Sequence, residues 1–142
     1  MDPQAKRRAR EAALQMLYQC EVGRAGAFES IASYWPLQDE AADPGEPLRE
    51  FANSVVRGTL ERQDELDAML TAHAQNWRVE RMAVIDRIVL RMAVYEMLVE
   101  RETPSKVIIN EAIELARSFS GDEAVGFVNG VLDAVKKELR RS

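Results

Sequence analysis

The sequence predicts an all-α protein of about seven helices, arranged as two helical sub-bundles. Three observations carry that expectation. Apolar residues recur at spacings of three and four along most of the chain, the period of one face of a helix. Residues that favour helices (Ala, Leu, Met, Glu, Arg) are plentiful, while aromatic residues make up only 6% of the 142. No stretch alternates apolar and polar residues as a half-buried strand does, and no repeat period is evident.

Asp2-Pro3 reads as a helix start, because Asp can cap free backbone N–H groups and Pro has no N–H to leave unpaired at the first helical position. Ala9, Ala13, Met16, Leu17 and Cys20 then mark one buried face, and Gly23 and Gly26 end the element. A shorter helix is expected from Ala27 to Tyr34. Pro36 to Pro47, with three prolines and several acids, reads as a solvated loop. One long helix is predicted over 48–74, with Leu48, Phe51, Val55, Leu66, Met69 and Leu70 facing inward.

Asn76-Trp77 breaks the pattern, and the boundary between sub-bundles (1–75 and 76–142) is placed there. Residues 83–100 are apolar nearly all round, the mark of a central buried helix. Thr103-Pro104 repeats the start signal, and Ile109, Ala112, Ile113, Ala116 and Phe119 form a stripe. Ser120-Gly121-Asp122-Glu123 reads as a capping box before a last stripe of Val125, Val128, Val131, Leu132, Val135 and Leu139.

Composition narrows the function. No apolar run approaches the length that spans a bilayer, and the basic N-terminus is not followed by the apolar segment of a secretory signal, so the expected compartment is the cytosol. One cysteine and one histidine exclude an internal disulfide and a paired thiolate or imidazole zinc site. Cys20 lies on the apolar stripe and reads as packing. There is no phosphate-cradling glycine loop, no HExxH and no nucleophile elbow. An enzyme is therefore not expected, and no cofactor is implied.

The net charge of −5 argues against a nucleic-acid partner for the chain as a whole, but the charge is uneven. Residues 1–24 carry five basic and three acidic side chains, whereas residues 36–50 carry five acids and one arginine. A local basic face is enough for RNA. Lys6, Arg7, Arg8 and Arg10 crowd the opening turns of a helix, where the macrodipole prefers anions, so helix stability does not account for them. Lys136, Lys137, Arg140 and Arg141 sit at a helix C-terminus, where the dipole favours cations and needs no ligand.

At about 100° per residue, Arg7, Arg10, Leu14 and Tyr18 share one flank. Cations followed by a ring suit single-stranded RNA, with phosphates on the cations and a base on the ring; the competing reading is a solvated charged face with Tyr18 at the core edge. Phe127 lies one residue ahead of the last apolar stripe, either as a boundary core residue or as an exposed ring. Gly126 and Gly130 each cost about 1 kcal/mol against Ala inside a helix, which predicts a closely approaching helix or ligand. Asp86 and Arg87, at the start of the most apolar helix, are either paired there or offered to a partner.

RRARE (7–11) with LYQ (17–19), DRIVLRMAVYEM (86–97), KVIINEAIELARSF (106–119) and FVNGVLD (127–133) together resemble the NusB family over essentially the whole chain. The resemblance implies two perpendicular helical bundles. It also implies a non-catalytic antitermination role: binding single-stranded boxA RNA of ribosomal transcripts as a heterodimer with the ribosomal protein NusE, within an antitermination complex on RNA polymerase. Some members of the family form homodimers. Carried over by position, RNA contacts fall on Lys6, Arg7, Arg8 and Arg10, on Phe127, on Asp122 or Glu123 before it, and on Glu80; Asp86 falls on the partner surface. Asn110 and Glu111 belong to the signature and read as structural. The proline-rich, acidic 36–47 segment has no counterpart motif. The alternatives are a protein-binding scaffold and a stand-alone domain related to the N-terminal part of the rRNA cytosine methyltransferases, whose catalytic region is not in this sequence.

Overall fold

The computed structural model describes residues 1–39, 44–74 and 78–141, and seven α-helices form among them. The chain divides into two compact units, Met1–Glu61 and Arg62–Ser142. The expected boundary at 75 adjoins Gln75, Asn76 and Trp77, which lie outside the described residues, as do Glu40 to Asp43 of the expected loop.

In the first unit α1 (Pro3–Gly23) begins as the sequence predicts, with the Asp2 carboxylate accepting from the Ala5 N–H at 2.8 Å and Pro3 in the first turn. Ala9, Ala13, Met16 and Leu17 are buried. α2 (Ala27–Tyr34) follows and runs into one 3-10 turn, Trp35–Leu37, inside the segment expected as loop. α3 (Glu46–Glu61) packs along α1 and α2. Cys20 Sγ lies 3.1 Å from the Ser30 hydroxyl, a packing position under α2.

The helix predicted over 48–74 is two helices. Arg62, at φ −104° and ψ 15°, leaves helical geometry, and α4 (Gln63–His73) starts after it as part of the second unit. Spacing alone does not reveal the break, because apolar residues continue at helical intervals across it.

α5 (Val84–Val99) is the centre of the second unit and packs against α4, α6 (Ser105–Phe119) and α7 (Ala124–Glu138). Every residue from Ile88 to Val94 is buried, so the middle of α5 has no solvated face. One of them is Arg91, 6% exposed; its Nε and a terminal nitrogen donate to the two carboxylate oxygens of Asp67 at 2.7 and 2.9 Å. A buried guanidinium needs such a partner. His73 of α4 meets Glu138 of α7 at 3.0 Å.

Two start signals act differently from expectation. Before α6, Thr103 gives no side-chain cap, and Pro104 itself holds the cap position. Thr103 instead offers its carbonyl to Arg141, whose guanidinium also donates to the Met97 carbonyl and the Ser105 hydroxyl. Before α7, the capping box does not form: Ser120 and Gly121 close α6, both donating to the Ala116 carbonyl, and Gly121 takes φ +132°, open to glycine without strain. Phe119, expected in the α6 stripe, is 41% exposed; Ile108 and Leu115 fill the core beside Ile109, Ala112 and Ala116. A β-carbon built on Gly126 or Gly130 would meet no atom within 4 Å, so no helix approaches them closely among the described residues.

Two stability predictions follow from this packing. Replacing Arg91 with Ala leaves Asp67 without its partner and should cost about 1.5–3 kcal/mol, less than breaking a fully buried pair because the Asp67 carboxylate reaches solvent, measured by urea unfolding. Gly130→Ala meets open space on a helix and should raise stability by about 0.5–1 kcal/mol. A loss on that second substitution would mean that the position is constrained in a way the helix packing does not contain.

Candidate functional site

The residues singled out from the sequence gather in two places, one in each unit. The first is the start of α1. Arg7 and Arg8 are exposed and Lys6 is half-buried. Arg10 is 5% exposed. Lys6 and Arg10, four residues apart, share the face turned to α3, where both lie over the Phe51 ring: Lys6 Nζ is 5.7 Å from its centroid and Arg10 Cζ 5.9 Å. The flank expected to carry Arg7, Arg10, Leu14 and Tyr18 to solvent is therefore split. Arg10 and Leu14 are buried, and only Arg7 and Tyr18 (43% exposed) stay accessible. The small side chains of Ala9 and Ala13 permit close packing, and the buried face of α1 widens to include that flank. Phe51 had been placed in the core by its spacing; its role as a seat for two cations has no signature in one sequence.

The second place is a cavity of about 540 Å³ in the second unit. Its walls are Met82 and Asp86 before and within the first turn of α5, Ser120 and Glu123 at the α6–α7 junction, and Phe127 in the first turns of α7. Asp86 Oδ1 is buried and accepts no hydrogen bond among the described residues. Arg87 donates to the Met82 carbonyl at 3.2 Å and steadies that wall. Glu123 folds back over Gly121, with its carboxylate 3.5–3.6 Å from where a β-carbon would stand there. Asp122 goes elsewhere: it lies 3.6 Å from Arg117, which is also paired to Glu114. Of the two acidic residues left open by the sequence, Glu123 is the one that joins Phe127. Glu80 is exposed in the short turn Val79–Arg81 and does not line the cavity.

Asp86 was assigned to a partner surface separately from Phe127, yet both face one cavity. Neither residue's spacing announces this, because α5 and α7 are brought together only by packing. Two carboxylates beside a half-buried ring can accept from amino groups and stack on a flat apolar group. Among the described residues no three His, Cys, Asp or Glu side chains could hold a metal ion, and no helix is long and apolar enough to cross a membrane.

The fold and these surfaces define a class: an all-α protein of two compact helical units with a cationic helix start in one and an acidic, ring-walled cavity in the other. Within that class the chain belongs to the NusB family, whose model matches residues 7–137. It is 46% identical to the transcription antitermination protein NusB of Solibacter usitatus over 136 residues, 95% of this chain and 90% of that one. The structure of T. maritima NusB superposes with a TM-score of 0.82 at 34% identity, covering 94% of this chain and 91% of that one. A crystal structure of the antitermination factors NusB and NusE in complex with double-stranded RNA shares the fold at a TM-score of 0.85 and 21% identity, covering 96% of this chain and 99% of that one.

Phe127 is half-buried at the cavity edge, so Phe127→Ala should cost well under the roughly 3–5 kcal/mol of emptying a core aromatic site. A thermal melt checks this: a modest shift fits a cavity wall, and a loss of folding at ambient temperature would make the ring part of the core.

Proposed function

We propose that this chain is a non-catalytic transcription antitermination factor that binds boxA-type RNA of ribosomal RNA transcripts as a heterodimer with the ribosomal protein NusE. Membership of the NusB family carries this reading, and the two surfaces support it in physical terms. Phosphates fit the exposed Arg7 and Arg8 with Lys6 beside them. A base fits the cavity, where Phe127 offers a stacking face and Asp86 and Glu123 offer acceptors for amino groups. Arg10 supports the α1–α3 packing rather than the RNA. Glu80 and Asp122, both outside the cavity wall, are further acidic contacts to the RNA. The complex acts on RNA polymerase in the cytoplasm, and no cofactor takes part. Self-association into a homodimer is a further state of the same chain.

Asp86 lies in the proposed base site as well as near the proposed partner surface, which favours an RNA site continued by NusE over a pure protein scaffold. The test separates the cations. Arg7→Ala with Arg8→Ala should weaken boxA RNA binding about tenfold or more, roughly 1.4 kcal/mol, with unchanged circular dichroism and unchanged NusE binding. Arg10→Ala should instead lower the melting temperature. Full RNA affinity in the Arg7/Arg8 variant would leave a protein-binding scaffold as the better account.

A further inference from the structure

We propose that the first unit carries a second, base-sized RNA subsite, a cleft between α1 and the α2–turn segment that seats one nucleobase bearing an exocyclic amino group. This rests on the RNA-binding reading above. The cleft has a volume of about 270 Å³. That is just below the roughly 300–1,000 Å³ of sites for drug-sized ligands, so it suits one small group. Arg8, Glu11 and Gln15 line it from α1, where spacings of three and four put them on one face. Tyr34, Trp35, Gln38 and a second carboxylate, Asp39, line it from the other side.

Three of the wall side chains, Gln15, Tyr34 and Trp35, are held by contacts within the unit. The Tyr34 hydroxyl donates to Gln15 Oε1 at 2.7 Å, which orients the Gln15 amide. The Trp35 indole N–H donates to Asn53 at 2.9 Å, and the Arg49 guanidinium lies 5.4 Å from the Trp35 ring centroid. Tyr34 meets the Trp35 ring edge-on with centroids 4.9 Å apart. Burial first, and then the Glu11 carboxylate, push the Tyr34 hydroxyl above its ordinary titration range, while Arg8 opposes them. The hydroxyl is a donor at neutral pH, as any tyrosine is, and it faces one charge of each sign.

This donor and acceptor set selects its ligand. A carboxylate accepts from the amino group of cytosine, and a glutamine side chain pairs with the amino edge of adenine. Uracil carries a carbonyl where cytosine carries the amino group, so it lacks the exocyclic donor that the carboxylate would accept from. Arg8 is one of the two exposed cations at the start of α1, so a strand whose phosphates cross those cations is already at the mouth of the cleft. The cleft would then read one nucleotide flanking the core RNA element.

The test compares a boxA core RNA with the same RNA extended by a single A, C or U at either end, by fluorescence anisotropy. At one end, A or C should tighten binding about fivefold over U, and Glu11→Gln with Gln15→Met should erase that preference while affinity for the core RNA stays unchanged. No gain from any extension, or a preference that survives in the double variant, overturns the subsite. Failure of the core RNA itself to bind sinks the functional reading first and the subsite with it. Adenosine monophosphate titrated against Trp77→Phe, where Trp35 is the remaining indole, separates the sources: quenching by the free nucleotide with no gain from extended RNA makes the cleft a mononucleotide site and overturns its assignment to RNA.

Discussion

A guanidinium buried in the most apolar helix is the constraint around which the second unit is built. The middle of α5 is packed by its neighbours, so Arg91, only 6% exposed, needs a counter-charge beside it. Asp67 supplies it with a two-point contact from α4. That pairing ties α4 to α5 within the second unit, which begins where the chain leaves helical geometry at Arg62. At the far end of the same unit, Arg141 takes the carbonyls of Met97 and Thr103, which follow from the ends of α5 and the loop to α6. The basic C-terminal cluster is thus structural at one of its members in a more specific way than the helix dipole requires.

The start of α5 forms one wall of the cavity. There the helix emerges from full burial, and Asp86 sits with one oxygen buried and unmatched. The α6–α7 junction turns on Gly121 and brings Glu123 and Phe127 to the same place. In the first unit, the opposite economy holds. Phe51 draws Lys6 and Arg10 inward and leaves Arg7 and Arg8 outside. A cluster of four cations, uniform in the sequence, is divided by one ring into a packing pair and an exposed pair.

Much of this was legible in the chain. The helix starts at Asp2-Pro3, the span of α2, the burial of α5 and the valine stripe of α7 follow from local spacing and from the capping chemistry of single residues, which act within one or two turns. What spacing did not yield depends on contacts between distant segments. α4 leaves α3 at Arg62 and joins α5 through the Asp67–Arg91 pair, the Ser120 cap gives way to the closure of α6, and Arg10 is buried against Phe51 on α3. The candidate site divides in the same way. Arg7, Arg8 and Phe127 were identified by being out of place in their own helices, a local signal. The meeting of Asp86, Glu123 and Phe127 in one cavity, and the choice of Glu123 over Asp122, required the fold.

The central claim is that RNA phosphates are met by the accessible cations of α1 and not by the whole basic cluster. A salt series on the binding of a boxA-like RNA, with and without NusE, tests it most directly. Each phosphate contact on a single strand contributes about −0.7 to the slope of log affinity against log salt concentration. Arg7 and Arg8 therefore predict a slope of about −1.4 for RNA binding that NusE strengthens. A slope of about −3, as four phosphate contacts would give, or no binding from folded protein in either condition, would contradict the account.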